Sequence, residues 1–436
     1  MYLDFTNPEV RKYWADQYSY TNYIGSTKEL FVWNDMNEPS VFNGPEVTMQ
    51  KDLIHYGNVE HRDIHNLYGF YVHKGTSEGL SVRDSENQRP FVLSRAFFAG
   101  SQRWGAIWTG DNKSDWDHLK ISIPMLLSVS SAGLSFCGAD VGGFFGNPEE
   151  ELMIRWYQAG AFQPFFRAHA HLDTKRREPY LFQRVDLFRQ AIRNRYQLLH
   201  YWYTCFFEHN QDGLPVMRAL WMNYPNDEET FAIEHEYLVG SNLLVAPATG
   251  HSQINVNVYF PEGGWYDYFD HQYIDTAGYK MIAAPLDKIP AYQRAGSILP
   301  LKLRARRSST QMKLDPYTLV VALDKSQQAT GNLYIDDYVS FEYQRKGAYQ
   351  YRQFLFKDNQ IFSDSEQNPL PGQEQVFVER IIILGLNHPV SKAVIHQQGF
   401  KLEAPILTET DPSGKPIYII RKPNALISYD WKIELQ

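Results

Sequence analysis

Two aspartates stand at the ends of short apolar runs, where chemistry would be expected. Leu30-Phe31-Val32 leads into the string WNDMNEPS, in which Asp35 follows the predicted strand. The run from Gly105 to Gly110 has the same character, and Asp111 comes directly after it. Barrel enzymes keep their catalytic groups where strands end and loops begin. Two such carboxylates, each near a tryptophan, predict glycoside hydrolysis, in which one carboxylate attacks the sugar and the other transfers a proton.

A series of motifs makes this prediction more specific. The strings WNDMNEPS, RPFVLSR, WTGDN, FCGADVGGF and FFRAHAHLDTKRREP follow one another along the chain. Together they closely resemble the catalytic domain of glycoside hydrolase family 31, and the resemblance runs from about Asp4 to about Pro300. It implies a retaining, exo-acting α-glucosidase in which Asp35 is the nucleophile and Asp111 is the acid and base.

The resemblance also implies roles for other residues. Arg95 would contact the sugar hydroxyls, and its charge would favour an ionised carboxylate nearby. His169 would hydrogen-bond the glucose in subsite −1, while Glu38 would be a supporting carboxylate. Asp140 is expected to contact the substrate or to hold a site residue in place. Aromatic rings could line the sugar pocket or simply pack in the core; the candidates are Trp33, Trp108, Phe42 and Phe144.

A short His-x-His stretch offers a different chemistry. His169, His171 and Asp173 have the residue types of a zinc site, and alternate residues of a strand point to one face. The neighbouring motifs match a metal-independent hydrolase, so we expect no metal and no cofactor. His171 is then interpreted as a structural histidine.

The apolar pattern predicts α/β structure followed by all-β structure. Up to about residue 212, short apolar runs alternate with helical periods, as in the βα units of a parallel sheet. Five strands are predicted, over residues 30–35, 90–95, 106–111, 134–140 and 162–168. The resemblance implies that these are the fourth to eighth strands of a (β/α)₈ TIM barrel. The chain therefore reads as the C-terminal portion of such a barrel, from a fragment, a short isoform or a truncated gene product.

Helix starts and the later domains are read from local signals. Capping residues predict helices beginning near Asn7, Ser114 and Asn147, and apolar spacing predicts helices around residues 64–71 and over 185–199. Past about Asp212, alternation with turn residues predicts two β-sandwiches. The predicted domains are a partial barrel over 1–212, a proximal sandwich over 213–305 and a distal sandwich over 306–436.

Composition restricts the partners. Lys and Arg number 42 against 50 Asp and Glu, the formal net charge is −8, and no basic run stands out, so nucleic acid is not an expected partner. No apolar stretch is long enough to cross a membrane. The N-terminus MYLDFTNPEV has no signal-peptide pattern. The resemblance nevertheless implies the lumen of the endoplasmic reticulum, terminal α-1,3-linked glucose on N-linked glycans as substrate, and a non-catalytic second subunit as partner.

Two alternatives remain open. The substrate could instead be maltose-like or glycogen-derived glucans. The chain could also be an inactive fragment, because a barrel site takes residues from many strands.

Two smaller expectations concern single residues. Cys137 and Cys205 are expected to be buried thiols. The sequon at Asn112 is expected to be unused, because a glycan there would block Asp111.

Overall fold

The computed structural model describes residues 2–83 and 87–436, and its first part alternates helices with short strands. Short 3-10 helices also occur at Ser101–Arg103 and Pro179–Leu181. The main elements of this part are α1 (Pro8–Asp16), β1 (Val32–Asn34), β2 (Ile54–His55), β3 (Val59–Glu60), α2 (His61–Arg83), β4 (Val92–Ser94), β5 (Ala106–Trp108), α3 (Trp116–Ser131), β6 (Cys137–Gly138), α4 (Glu150–Ala161), α5 (Val185–Gln197) and α6 (Leu199–Asp212).

Four of these strands form a parallel sheet in the order β1-β4-β5-β6. Trp33 pairs with Leu93, and Ile107 pairs with Cys137. Every residue of β4 and β5 is buried, as expected for parallel strands that are covered on both faces. The predicted α/β architecture is confirmed, and the carboxyl ends of the strands meet at one edge of the sheet.

The predicted fifth strand over 162–168 is not a regular strand. Phe162 is the C-cap of α4, and Pro164 has no backbone N–H to donate to a ladder. Residues 165–168 still continue the sheet beside β6 through separate contacts. Phe165 N donates to the Cys137 carbonyl at 2.9 Å, and Val141 N donates to the Arg167 carbonyl at 3.0 Å.

Helix boundaries differ from prediction in three places. The cap of α3 is Asp115 and not Ser114, because the Asp115 carboxylate accepts from His118 N at 2.8 Å. Helix α4 begins at Glu150, while the Asn147 side chain accepts from Lys175 N at 2.7 Å. The predicted helix over 185–199 is broken at Leu198 into α5 and α6. The Asn7 cap on α1 is found as predicted.

The remainder of the chain is almost entirely β. A proximal unit packs a six-stranded antiparallel sheet, β12-β11-β14-β9-β8-β7, against the pair β10-β13. Two 3-10 helices, Leu220–Met222 and Glu228–Ala232, accompany it. Its strands are β7 (Met217–Arg218), β8 (Tyr237–Val239), β9 (Leu243–Val245), β10 (Asn255–Phe260), β11 (Trp265–Asp267), β12 (Tyr273–Ile274), β13 (Gly278–Ala283) and β14 (Ala291–Arg294).

A distal unit of ten strands closes on itself around its own hydrophobic core. Its first strand, β15, lies before the predicted boundary at 305, and the domain boundaries stay predictions. A 3-10 helix occurs at Ser309–Met312. The other elements are β15 (Ser297–Leu301), β16 (Tyr317–Ala322), β17 (Ala329–Ile335), α7 (Glu342–Lys346), β18 (Gln350–Lys357), β19 (Gln360–Asp364), β20 (Phe377–Leu384), β21 (Lys392–Gln397), β22 (Phe400–Thr410), β23 (Pro416–Leu426) and β24 (Trp431–Leu435).

One hydrophobic core joins the three parts. It includes Ile107 of β5, Trp202 of α6, Val245 of β9 and Val320 of β16. Both β units therefore pack in the same core as the parallel sheet and α6. Cys137 and Cys205 are buried free thiols in this core, as expected. Within residues 2–83 and 87–436, every helix falls short of the length and apolar character needed to cross a bilayer.

Candidate active site

The loop after β1 places Asp35 at the edge of the sheet. Asp35 is the first residue beyond β1, and Met36 next to it has a left-handed backbone with φ 54°, a strained conformation for a side chain of this size. The buried Asn37 holds this loop against the next strand. Its Nδ2 donates to Ser94 Oγ at 2.8 Å, and its Oδ1 accepts from Ala96 N at 3.0 Å. The direction of the Asp35 carboxylate is thus set by a fixed loop.

Arg95 brings the two candidate catalytic carboxylates together. Its Nη1 lies 3.1 Å from Asp35 Oδ1 and 3.4 Å from Asp111 Oδ2. Both carboxylates are about a third exposed, at 30% and 35%, so a substrate can reach them. One guanidinium nitrogen is therefore within reach of both candidate carboxylates.

Glu38 and Ser40 fix the other side of the Arg95 guanidinium. Arg95 Nε donates to Glu38 Oε1 at 2.7 Å, and Nη2 donates to Glu38 Oε2 at 3.2 Å and to Ser40 Oγ at 3.1 Å. Burial raises the pKa of Glu38, but the bonds from Arg95 and Ser40 outweigh it and hold this pKa below its usual value. Glu38 is therefore an anchor for Arg95.

A second ion pair lies deeper in the site. Asp140 is almost fully buried, and its Oδ1 accepts from Arg167 Nη2 at 2.7 Å. Burial raises the pKa of Asp140 to about 6, although Arg167 opposes this rise. Asp140 Oδ2 is buried and has no hydrogen-bond donor in the described parts of the chain.

Aromatic rings surround these groups. The Arg167 guanidinium lies 5.1 Å from the ring centres of both Trp33 and Trp108. Trp33 is 42% exposed and Trp108 only 2%, so Trp33 offers a face to a ligand while Trp108 packs behind it. Phe144 is stacked on His169 at 5.2 Å. Phe42 is 74% exposed.

The two histidines pack on one phenylalanine. His169 also meets the Trp33 ring edge-on at 5.0 Å. Burial and the charge of Arg167 lower its pKa, in spite of the opposing charges of Asp111 and Asp35, which favours a neutral imidazole. His171 meets Phe144 edge-on and accepts from Asp173 N at 3.2 Å through Nδ1. In the described residues the ligand atoms with metal-site spacing belong to Glu149, Glu151 and His251, which are surface ion pairs at the start of α4.

Sequence reasoning missed several residues that hold the site. Asn112 was considered only as a sequon, yet its Nδ2 donates to the Asp140 carbonyl at 3.1 Å and its Oδ1 accepts from Phe144 N at 2.8 Å. Asn37, Arg167 and Arg177 were not singled out either. All four lie inside the motif strings, which was the one signal available. The roles of the predicted residues stay predictions, although most of them meet in one place.

Two acidic groups that share an arginine at the carboxyl end of a parallel sheet, with aromatic walls, define a site of the glycoside hydrolase class. Two family models match in succession. Residues 1–205 match the glycosyl hydrolases family 31 TIM-barrel domain, and residues 213–299 match the glycosyl hydrolase family 31 C-terminal domain. The chain belongs to glycosyl hydrolase family 31, as the motifs predicted.

Particular relatives are also similar along the whole chain. It is 52% identical over 439 residues to neutral alpha-glucosidase AB of Sus scrofa, and the match covers 100% of this chain and 46% of that protein. A crystal structure of glucosidase II alpha subunit in an α3-Glc2-bound form has a TM-score of 0.96 and 42% identity, with 100% of this chain and 49% of that chain covered. The same values hold for a heterodimeric ER glucosidase II complex of the catalytic subunit with the binding domain of the regulatory subunit. The chain thus spans about half the length of these relatives.

Proposed function

We propose that the protein is a retaining exo-α-glucosidase that releases terminal α-1,3-linked glucose from N-linked glycans by double displacement. The observation that carries this proposal is the sharing of Arg95 Nη1 by Asp35 and Asp111. A cation between two carboxylates allows both to stand close together, which the covalent mechanism requires. The neutral imidazole and aromatic faces around them suit an uncharged sugar.

The chemistry follows from the two carboxylates. Asp35, ionised beside Arg95, attacks the anomeric carbon while Asp111 gives its proton to the departing glycosidic oxygen. The bond to the leaving group breaks, and a glucosyl ester forms on Asp35. Water then attacks the same carbon while Asp111 takes a proton from the water, and the ester bond to Asp35 breaks. Two inversions give glucose with retained configuration, and Asp111 ends protonated as it began.

Other residues are proposed to hold the glucose. Asp140 holds Arg167 in place from below the surface, and His169 hydrogen-bonds a sugar hydroxyl. Trp33 covers one face of the ring through its exposed indole. Arg167 keeps Asp140 and the indoles in place through the contacts described above. Together these groups fix the anomeric carbon near Asp35, which is the positioning that a glycosidase needs.

The linkage, partner and compartment are proposed from the similar proteins. One solved relative is described as bound to α3-Glc2, and another is described as an ER complex with a regulatory subunit. We therefore propose an N-glycan substrate, a non-catalytic glucosidase II β subunit as partner, and the lumen of the endoplasmic reticulum. Maltose-like or glycogen-derived glucans are the competing substrates.

The test uses the 436-residue chain as it exists. Its hydrolysis of p-nitrophenyl α-glucoside, of an α-1,3-linked glucose disaccharide and of maltose is compared with that of Asp35→Ala and Asp111→Ala. Asp117→Asn, on the exposed start of α3, is the matched control. We expect proton NMR to show product of retained configuration, and the α-1,3 linkage to be cleaved faster than maltose. Activity should be lost in Asp35→Ala and Asp111→Ala and kept in Asp117→Asn.

Three results would count against the proposal. Product of inverted configuration would exclude the covalent route. Faster cleavage of maltose would favour the competing substrate. A chain that is folded by circular dichroism but releases no glucose would show that the strands it contains do not suffice for the activity.

A further inference from the structure

Arg177 links three loops of the candidate site without contacting the candidate catalytic aspartates. Its Nη1 donates to Ser114 Oγ at 3.0 Å and to the Gly142 carbonyl at 3.1 Å. Its Nη2 donates to the His169 carbonyl at 2.7 Å and also contacts the Gly143 carbonyl. The two terminal nitrogens therefore share four acceptors, of which only the His169 carbonyl is close to Arg177 in the sequence.

Each acceptor lies close to a residue of the site. Ser114 is three residues beyond Asp111, and Gly142 is two residues beyond Asp140. The third loop contributes the backbone of His169 itself. Because one rigid planar group binds all three loops, the positions of these loops depend on one another.

The glycine loop is shaped for this contact. Gly142 and Gly143 have left-handed backbones, with φ 90° and 80°, so that successive carbonyls turn towards the guanidinium. A Cβ on Gly143 would lie 2.4 Å from the backbone of Lys113, so the loop also packs closely on the strand end that carries Asp111. A lysine ammonium is a single point of donation and cannot span these acceptors.

The charge of Arg177 reaches the site as well. Burial raises the pKa of Asp140, and the positive charges of Arg167 and Arg177 oppose that rise. Burial lowers the pKa of His169, and Arg167 and Arg177 lower it further. Asp111 and Asp35 are the acidic groups that act on His169 in the opposite direction.

We propose that Arg177 is a positioning residue for the hydrolysis, because it holds the loops of Asp111, Asp140 and His169 in register. The kinetic part of this inference rests on the proposed function, whereas the ordering of the loops does not. Without the guanidinium fork, the acid, the buried carboxylate and the imidazole would no longer face one substrate position together.

The chain offers a matched control in the preceding residue. The Arg176 side chain is 79% exposed and pairs with Glu178 at 3.0 Å. We expect Arg177→Lys to lower kcat by about 10- to 100-fold and to raise KM, since misplacement of about 1 Å can cost that much and His169 also contacts the sugar. Arg176→Lys should leave both constants within about twofold, as a surface pair contributes little.

The pH dependence of hydrolysis distinguishes the geometric role of the Arg177 guanidinium from the effect of its positive charge. Arg177→Gln removes one of the positive charges that oppose the rise in the Asp140 pKa, so the acid limb of kcat/KM should move to higher pH. Arg177→Lys keeps a positive charge, so its acid limb should stay near that of the wild type while kcat falls. A merely structural residue would lower the amount of folded protein and leave kcat per folded molecule and the pH profile unchanged.

Hydrogen exchange tests the ordering of the loops even if the chain hydrolyses nothing. The amides of Ser114, Phe144 and His171 donate across these loops. They should exchange faster in Arg177→Lys than in Arg176→Lys, while amides of the distal β unit stay unchanged. Equal exchange in both variants, or faster exchange throughout the chain, would overturn the inference. Failure of the wild type to hydrolyse any glucoside would count against the proposed function alone.

Discussion

Asp140 and Arg167 form an ion pair whose acidic member is almost completely buried, at 1% exposure and with 2.7 Å between Oδ1 and Nη2. Burial raises the pKa of Asp140 to about 6, and Arg167 opposes only part of this rise. The guanidinium in turn lies 5.1 Å from the ring centres of both Trp33 and Trp108, which contact each other edge-on. Protonation of Asp140 therefore removes the charge that pairs with Arg167, next to the aromatic rings of the site.

The activity should fall as the pH drops below about 6. Protonation of Asp140 removes the charge that holds Arg167, so kcat/KM of the wild type should show an acid limb near that pH. Asp140→Asn should have low activity at every pH and lack this limb. The exposed Asp173 provides the control, and Asp173→Asn should keep the wild-type profile. If Asp140→Asn keeps the acid limb of kcat/KM, that limb reports the titration of another group.

Stability should change with pH in the opposite direction from that of an ordinary ion-paired carboxylate. Because the folded pKa of Asp140 is raised, the folded state binds the proton more strongly than the unfolded chain does. Its contribution to the free energy of unfolding should be largest at about pH 4 and decline as the pH rises to about 6. Urea denaturation measures the free energy of unfolding at about pH 4.5 and at about pH 7. The difference between these two values should be smaller in Asp140→Asn than in the wild type.

Arg95→Lys should lower hydrolysis strongly while the fold persists. The lysine keeps one charge but cannot bind Glu38 with two nitrogens and also reach Asp35 and Asp111. We expect kcat to fall by about 100-fold or more, as for other preorganised charge contacts. Arg103→Lys, at the exposed end of a 3-10 helix, is the matched control. Comparable activity of the two lysine variants would show that the shared contact is unimportant.

Asn37→Ala should destabilise the protein without touching a charge. The substitution leaves Ala96 N without an acceptor in a buried loop and removes the donor to Ser94 Oγ, which still donates to the Ala96 carbonyl. The loss costs roughly 1 to 3 kcal/mol. Asn66, which is exposed on α2, is the control, and Asn66→Ala should change the free energy of unfolding by about 0.5 kcal/mol or less. Urea denaturation of both variants measures the difference. Equal values would mean that the loop does not need this amide.

The meeting of Asp35, Asp111 and Arg95 could be predicted from the sequence. Each residue follows a short apolar run, and parallel strands bring such positions to one edge of the sheet. The hydrogen bonds of Asn37 could not be predicted, because its partners at Ser94 and Ala96 are 57 and 59 residues away. No local pattern distinguishes an asparagine that ties two loops from one that caps a turn.

Local signals located the elements better than their ends. Residues 162–168 are apolar enough for a strand, but the regular ladder also needs N–H groups, and Pro164 provides none. The break at Leu198 is a backbone turn between two helices whose apolar faces continue one another, so apolar spacing could not detect it. The cap at Asp115 competes with Ser114, and tertiary contacts decide: Ser114 Oγ donates instead to the Gly142 carbonyl.

Asn112 should carry no glycan when the chain is made in a eukaryotic secretory host. The side chain is 8% exposed, and both ends of its amide are bound, to the Asp140 carbonyl and to Phe144 N. Peptide mass mapping tests this directly. Asp212→Ser creates a sequon at the exposed Asn210 near the end of α6 and shows that the host glycosylates this chain. A glycan on Asn112 of an active protein would contradict the placement of the site beside Asp111.

Two glycines in one loop should respond differently to alanine. Gly143 and Gly146 both have left-handed backbones, with φ 80° and 85°, so each alanine costs about 1 to 2 kcal/mol for that conformation. Only at Gly143 does the new Cβ collide, at 2.4 Å from the Lys113 backbone, whereas at Gly146 the nearest atom is 3.8 Å away. Gly143→Ala must therefore move the loop and loosen the hydrogen bond from Phe144 N to Asn112. We expect its free energy of unfolding to fall further than that of Gly146→Ala, and the Phe144 amide to exchange faster only in Gly143→Ala. Equal losses in the two variants would mean that the backbone conformation alone, and not the close approach to Lys113, limits this position.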